Sequence, residues 1–373
     1  MNEMKRMNGQ GSSWNAAVLG WGVLLLPWMM AACSGLGPST IRGDRANYNT
    51  AIQRSNDQQL LLNLVRLKYR DTPFFLEVSN VAAQFKFRSN ANANATLQNG
   101  VKGLFGLGAG ATVEESPTVT YAPLSGEQFI QRFLSQVPLE TVFLLSHSGW
   151  SIERIFRICL QRMGELKNAP NASGPTPNRA PVFMDFVQAV RMFRQLQLRD
   201  ALTVSLGARG KVPELVMRVR GEPGEFPELR GLNRLLGFLP ENTRFVLTVN
   251  PSPAKGEGLR IETRSLLGIL YFLSHGVETP TEDREQGKIT LTRRSSGKLF
   301  DWGEVTGDIL KIHSQSSRPG RAAVDVFYRD QWFYIDDSDL NSKSTFSLLA
   351  QLFSLQAGKA KDRGLLLTLP LGN

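Results

Sequence analysis

Cysteine and histidine are scarce, with two and three in 373 residues. Two cysteines exclude a disulfide-stapled scaffold, and three histidines leave little for a zinc site. No G-x-S-x-G, H-E-x-x-H, Walker or C-x-x-C pattern occurs, so esterases, zinc proteases, nucleotide hydrolases and dithiol enzymes lack their usual signatures. No catalytic residue, cofactor site or metal ligand is therefore assigned. Negative charge is in deficit as well, with 33 acidic against 43 basic residues and a net charge of +10. What is present is ordinary: 42% hydrophobic, 9% aromatic and 20% charged. These fractions fit a globular protein and exclude a disordered tail or a multi-span membrane protein.

The single long apolar run lies at the start. Lys5 and Arg6 precede an apolar stretch from Trp14 to Met30, which is interrupted by Gly20, Gly22 and Pro27 and closed by Met30-Ala31-Ala32-Cys33. Positive charge, an apolar segment and small residues before a cut describe a secretory signal over residues 1–32. Met30-Ala31-Ala32-Cys33 resembles the lipobox of bacterial lipoproteins, with Met where Leu is usual. The resemblance implies that Cys33 becomes the first mature residue, is lipid-attached through sulfur and amine (with palmitate-type acyl chains), and anchors the protein to a membrane. Ser34 after it resembles the pattern of lipoproteins sorted to the bacterial outer membrane. Each buried methylene contributes about 0.8 kcal/mol, so several chains make a lasting anchor. The expected location is the outer membrane, with the chain mainly periplasmic and no nucleic acid as partner. The excess of arginine and lysine suits anionic headgroups or acidic partner proteins instead. With Cys33 acylated, Cys159 in its apolar helical setting reads as an inert buried thiol.

After the anchor, residues 33–43 read as a lipidated tether and Asp44 to about Tyr69 as a helix. Residues 44–168 form a helix-plus-hairpin domain, 169–181 a Pro/Asn/Ser linker, and 182–373 a modular α+β domain. Phe74 to Val81 reads as a strand. From Gln84 to Gln98 the sequence alternates without a break: Phe85, Phe87, Ala91, Ala93, Ala95 and Leu97 share one phase, and Lys86, Arg88, Thr96 and five polar amides the other. Asn99-Gly100 is a turn signal, and the return run places Val101, Phe105, Leu107, Ala109, Ala111 and Val113 in one phase. A three-residue turn, Gln98-Asn99-Gly100, would pair Leu97 with Val101, Ala91 with Leu107 and Phe87 with Ala111, putting all the apolar residues on one face. These twelve apolar residues are the candidate membrane or assembly face. Thr118 to Pro123 reads as another strand.

Helices are expected at about 126–136, 151–166 and 182–198. Three strand-strand-helix sets then follow: 202–206, 215–220 and 227–239; 244–250, 259–263 and 265–274; and 322–328, 331–335 and 340–356, closed by a strand at 365–369. The fold class is α+β, with an N-terminal helix and long amphipathic hairpin, then a helical segment, then repeated modules with mainly antiparallel sheets. The module order resembles the ring-building domains of envelope secretion machines.

Isolated features read blandly. Gly106-Leu107-Gly108-Ala109-Gly110 lies in the hairpin and lacks the spacing of a nucleotide loop. Asp336-Asp337-Ser338-Asp339 reads as a helix cap rather than a calcium loop. His147, His275 and His313 have no local nucleophile partner. Glu262, Glu278, Asp325 and Asp336 are carboxylates available to a polysaccharide or cell-wall hydrolase, but no spacing pairs them. Trp332-Phe333-Tyr334 reads as a core strand, or as the aromatic wall of a lipid- or solute-binding lipoprotein. The leading functional expectation is a non-enzymatic assembly component of an envelope complex, homo-oligomeric or bound to envelope proteins. Its hairpin resembles those that lipid-anchored export pores donate to a shared barrel. A fourteen-residue strand reaches roughly 46 Å, more than the ~25 Å apolar band of such a barrel.

Overall fold

A computed structural model describes residues 36–96, 104–175, 177–249 and 258–358. The signal segment, Cys33, Leu97 to Gly103 with the hairpin turn, and the strand expected at 365–369 lie outside the described residues. Met1–Asn56 and Asp57–Asn373 form separate units. Helix α1 (Leu36–Lys68) begins in the first. It takes in most of the segment expected to be a tether, and Thr50 donates from its hydroxyl to the Ala46 carbonyl one turn back.

In the second unit the end of α1 is followed by β1 (Leu76–Thr96) and β2 (Leu104–Pro123), an antiparallel ribbon. Each merges two strands that the sequence pattern separates. The register is a correction too. Ala91 lies opposite Ala109, Ala93 opposite Leu107, and Phe87 opposite Val113, a slip of two residues from the three-residue-turn expectation. Because strand phase repeats every two residues, this slip keeps most apolar positions opposite apolar ones, with Phe85 opposite Glu115 and Ala111 opposite Ser89 as the exceptions.

Helices α2 (Glu127–Leu134), α3 (Leu139–His147) and α4 (Ile152–Cys159) follow. α4 stops seven residues short of the expected end, because Leu160 turns to extended backbone and starts β3 (Leu160–Met163), followed by β4 (Leu166–Lys167). Then come α5 (Met184–Leu198), β5 (Leu202–Arg209), β6 (Val212–Val219), α6 (Pro227–Leu236), β7 (Arg244–Thr248), β8 (Leu259–Thr263) and α7 (Leu266–Ser274). Short helices α8 (Thr281–Glu285) and α9 (Gly303–Thr306) lead to β9 (His313–Gln315), β10 (Ala322–Tyr328), β11 (Gln331–Asp336) and α10 (Leu340–Gly358). The fold is α+β with mainly antiparallel sheets, as the sequence pattern implies.

Six strands form one sheet in the order β4-β3-β8-β7-β6-β5. β3 and β4 precede residues 169–181 and the other four follow them, so that segment joins parts of one sheet rather than two domains. The first module is the expected antiparallel pair, turned at Gly210, whose φ of 62° suits the first position of a type II′ turn. The second module departs from expectation, because β7 and β8 run parallel. The third pair, β10 and β11, gains β9 on its other edge.

Hydrophobic spacing accounts for the core. In α5, Phe186, Val187, Val190, Phe193 and Leu196 recur at three- and four-residue intervals and are all buried. Phe193 meets Phe156 of α4 and Phe245 of β7 edge-on, with ring centroids 6.3 and 5.2 Å apart. This layer ties the helical segment to the six-stranded sheet.

Candidate functional site

The hairpin is fixed to the body by side-chain amides on α1. Gln59 and Asn63 are one turn apart and therefore project on one helix face. Asn63 donates to the Phe74 carbonyl at 2.7 Å and accepts from the Phe74 amide at 2.9 Å. Gln59 makes the same two-way exchange with Leu76, at 2.9 and 2.6 Å. Phe74 and Leu76 are two apart, as along a strand edge. Two amides on a helix thus stand in for a neighbouring strand at the root of β1. Between them Phe75 points into the core against Phe129, Phe133 and Phe353, at 6.4, 5.7 and 4.6 Å between centroids. Its carbonyl accepts from the Leu124 amide at the end of the return strand. Both feet of the hairpin are therefore held in one place.

Beyond these feet, β1 and β2 pair only with each other among the described residues. Of the twelve candidate face residues, the register brings together Ala91 with Ala109, Ala93 with Leu107, Ala95 with Phe105 and Phe87 with Val113. Phe85 falls opposite Glu115, and Ala111 opposite Ser89. Leu97 and Val101 lie outside the described residues, as does Cys33. Gly106 to Gly110 lie within β2. Pro117 also sits in β2, and a residue without an amide proton is tolerated only on a strand edge or at a bulge.

The end of α1 is held as firmly. Asp71 accepts from the Tyr328 hydroxyl at 2.6 Å and from Arg329 at 2.9 Å. Burial pushes its carboxyl up, but those hydrogen bonds and the nearby guanidinium charges win and hold it below the ordinary value. Arg329 and Asp330 form the β10–β11 turn with φ of 49° and 62°, a type I′ geometry reached without glycine. Tyr69 donates to Asp283 at 2.6 Å. Nothing in the local pattern flags these partners, which are more than 200 residues away.

The other singled-out residues fall apart in space or into structural roles. Cys159 is buried as the last residue of α4, and burial pushes its thiol up to about 12. Asp339 accepts from the Ser342 amide at 3.0 Å and Asp336 from the Ser338 amide at 2.8 Å, as capping requires. Glu262 pairs with Arg162 and Arg260, Glu278 with His313 and Lys311, and Asp325 with Arg318. The four carboxylates are engaged separately and form no facing pair. Phe333 is buried between the half-buried Trp332 and Tyr334, the alternation of a sheet on a core. His147 ends α3 against Phe143, and His275 follows α7.

The feature that sequence reading missed is Arg264, 1% exposed. It donates from Nη1 to the carbonyls of Arg157, Ile158 and Leu160 at 3.0, 3.1 and 2.7 Å, and from Nη2 to that of Asn168. Its plane lies 4.0 Å over the Phe272 ring. The end of α4 exposes carbonyls with a negative dipole end, and one guanidinium satisfies them. Burial lowers Arg264 to about 9.

No described helix is long and apolar enough to cross a membrane, and no described group of three or more histidine, cysteine or carboxylate residues is placed to hold a metal ion. Compared with known proteins, the chain matches no family model, no curated protein and no solved structure.

Proposed function

We propose that this chain is a lipoprotein of the bacterial outer membrane, acylated at Cys33, which serves in the periplasm as a non-enzymatic assembly component. Its hairpin associates with copies of itself, or with envelope partners, into a ring or export pore. One observation carries the reading: β1 and β2, 21 and 20 residues long, pair with each other and with no other described strand. At about 3.3 Å per residue the ribbon extends roughly 65–70 Å. An isolated two-stranded ribbon is marginal in water and presents two open edges, so it calls for a partner on them. The paired amides of Gln59 and Asn63 and the buried Phe75 suit a projecting element that bears load at its root.

Two measurements test this. Mass spectrometry of protein from its native host is expected to show Cys33 as the modified first residue. Sedimentation of the mature chain with detergent or bilayer discs is expected to show a defined oligomer, which Ala93→Asp with Leu107→Asp disperses while the fold persists. An intact leader, or a monomer under every condition, overturns the proposal.

A further inference from the structure

The register of the ribbon gathers its charges into a belt. Lys86 falls opposite Glu114, Phe85 opposite Glu115 and Arg88 opposite Thr112. Four of the ribbon's five charged residues therefore share four consecutive rungs, and the fifth, Glu77, lies near the root. From the belt towards the turn, residues 89–96 and 104–112 carry no charge on either face. The next charge along the sequence is Lys102, in the turn segment outside the described residues.

The two halves of the ribbon also differ in how their edges are protected. Between the feet and the belt, β2 carries Pro117 and β1 a register shift between Val78 and Asn80, both of which discourage pairing with a stray strand in water. The outer half has no proline, no charge and no shift. Its rungs sort by face instead. Odd-numbered rungs from Phe87–Val113 to Ala95–Phe105 are apolar except for Ser89, and even-numbered rungs set Asn90, Asn92 and Asn94 opposite Gly110, Gly108 and Gly106.

Length decides what such a segment suits. Residues 87–96 reach about 33 Å, and at a tilt of about 40° they rise about 25 Å, the height of the apolar band of a membrane barrel. A strand in water keeps charges along its edge, whereas a strand in hydrocarbon sheds them over the thickness of the acyl chains and regains them at the boundary.

We propose that the outer half of the ribbon, residues 87–96 with 104–113, lies in the hydrocarbon of a lipid bilayer. Its odd-numbered face meets acyl chains, its even-numbered face meets water, and Lys86, Arg88, Glu114 and Glu115 stand at the headgroup level. Residues 76–85 form a stalk that holds the body about 33 Å from the acyl chains. This inference rests on the assembly reading and adds to it the partner of the apolar face and the depth at which that face ends. Backbone groups on the outer edges find no water in hydrocarbon, so insertion needs a neighbouring ribbon on each edge and occurs only with assembly.

The mature acylated protein in phosphatidylethanolamine–phosphatidylglycerol vesicles tests this. Ala91→Cys and Ala93→Cys sample the odd face, Asn92→Cys and Asn94→Cys the even face, and Ala83→Cys the odd face below the belt. Each variant is labelled with a nitrobenzoxadiazole fluorophore, and the unsubstituted protein supplies the background from Cys33 and the buried Cys159. Labels on Ala91→Cys and Ala93→Cys are expected to emit to the blue of the others and to be quenched at least about twofold more by chain-brominated lipid. Labels on Asn92→Cys, Asn94→Cys and Ala83→Cys are expected to answer to aqueous iodide.

Odd and even labels that behave alike, or Ala83→Cys behaving as Ala91→Cys, overturn the proposal. Odd-face labels that neither quencher reaches also overturn it, and assign that face to a second copy or another protein. Sedimentation of the same samples separates the two failures. A defined oligomer whose odd-face labels are open to iodide removes insertion and leaves assembly standing, whereas a monomer removes both.

Discussion

Asn63 and Phe74 exchange two hydrogen bonds, side-chain amide to backbone, at 2.7 and 2.9 Å, with Asn63 fully buried. This is the pairing of two strands made by one side chain, and it leaves nothing for water to replace.

Asn63→Ala removes the partner of both the Phe74 amide and the Phe74 carbonyl. The expected cost is on the order of 2–4 kcal/mol in urea unfolding. Gln59→Ala is expected to cost less, since Gln59 is half-buried where Asn63 is fully buried. Hydrogen exchange at Phe74 and Leu76 should quicken in the respective variants. Unchanged exchange at both positions would show that the hairpin root is held by Phe75 alone.

Arg264 is predicted to be the costliest single truncation in the helical segment. Arg264→Met keeps the apolar stem but removes the guanidinium donor from four carbonyls, of which only those of Arg157 and Leu160 keep a second donor, Asn168 Nδ2, with an expected loss of about 3–5 kcal/mol. Arg264→Lys concentrates its donors at one point and is expected to recover less than half. Denaturant midpoints of the three proteins decide it. Equal stability of Lys and Arg at 264 would show that charge, not the planar fork, is what matters.

These residues mark the limit of what the sequence can convey. The helices and the three strand-strand-helix sets follow from periodicity, which is local. The alternation from Phe85 to Leu97 marks the ribbon. Its register does not follow from polarity, because a slip of two residues pairs Ala91 with Ala109 as acceptably as with Leu107. Partners such as Asp71 with Arg329, or Arg264 with the end of α4, join distant segments and carry no periodic signal. A lone arginine in an apolar context reads as surface until the fold supplies its carbonyls.

Acid is expected to unfold the protein through a small set of carboxylates. Asp71, Asp283 and Asp308 are each pushed up by burial, yet their partners Tyr328, Lys288, Tyr69, Arg157 and Arg191 hold them below the model-compound value of 3.8. A depressed carboxylate adds stability that is present above its unfolded pKa and lost as pH falls through the folded one. Stability should therefore fall below about pH 5. Asp71→Asn should flatten that slope while lowering stability at pH 7. A wild-type slope in Asp71→Asn would remove Asp71 from the set.

Lys68 reverses the sign. Burial first, and then the Arg284 charge, push it down to about 8, against 10.5 unfolded, so it weakens the fold below pH 8, and the penalty fades as pH rises towards 10.5. Lys68→Met is expected to be more stable than the parent at pH 7, with the gap closing as pH passes 8 and approaches 10. A constant gap across that range would mean that packing, not charge, separates them.

The ribbon's register can be read chemically. Ala93 lies opposite Leu107, and Ala91 lies opposite Ala109. Directly opposed residues on antiparallel strands have Cα atoms about 4.5–5.5 Å apart, within disulfide reach, whereas diagonal neighbours stand beyond it. Ala93→Cys with Leu107→Cys should therefore close a disulfide within the chain under mild oxidation, and Ala91→Cys with Leu107→Cys should not. Cys159 does not interfere, because its buried thiol, raised to about 12, is neither ionised nor accessible. If the second pair closes and the first does not, Ala91 opposes Leu107 after all and the turn is three residues long. If both instead cross-link between chains, the ribbon's edges are meeting other copies, and the yield against protein concentration then measures the association that assembly requires.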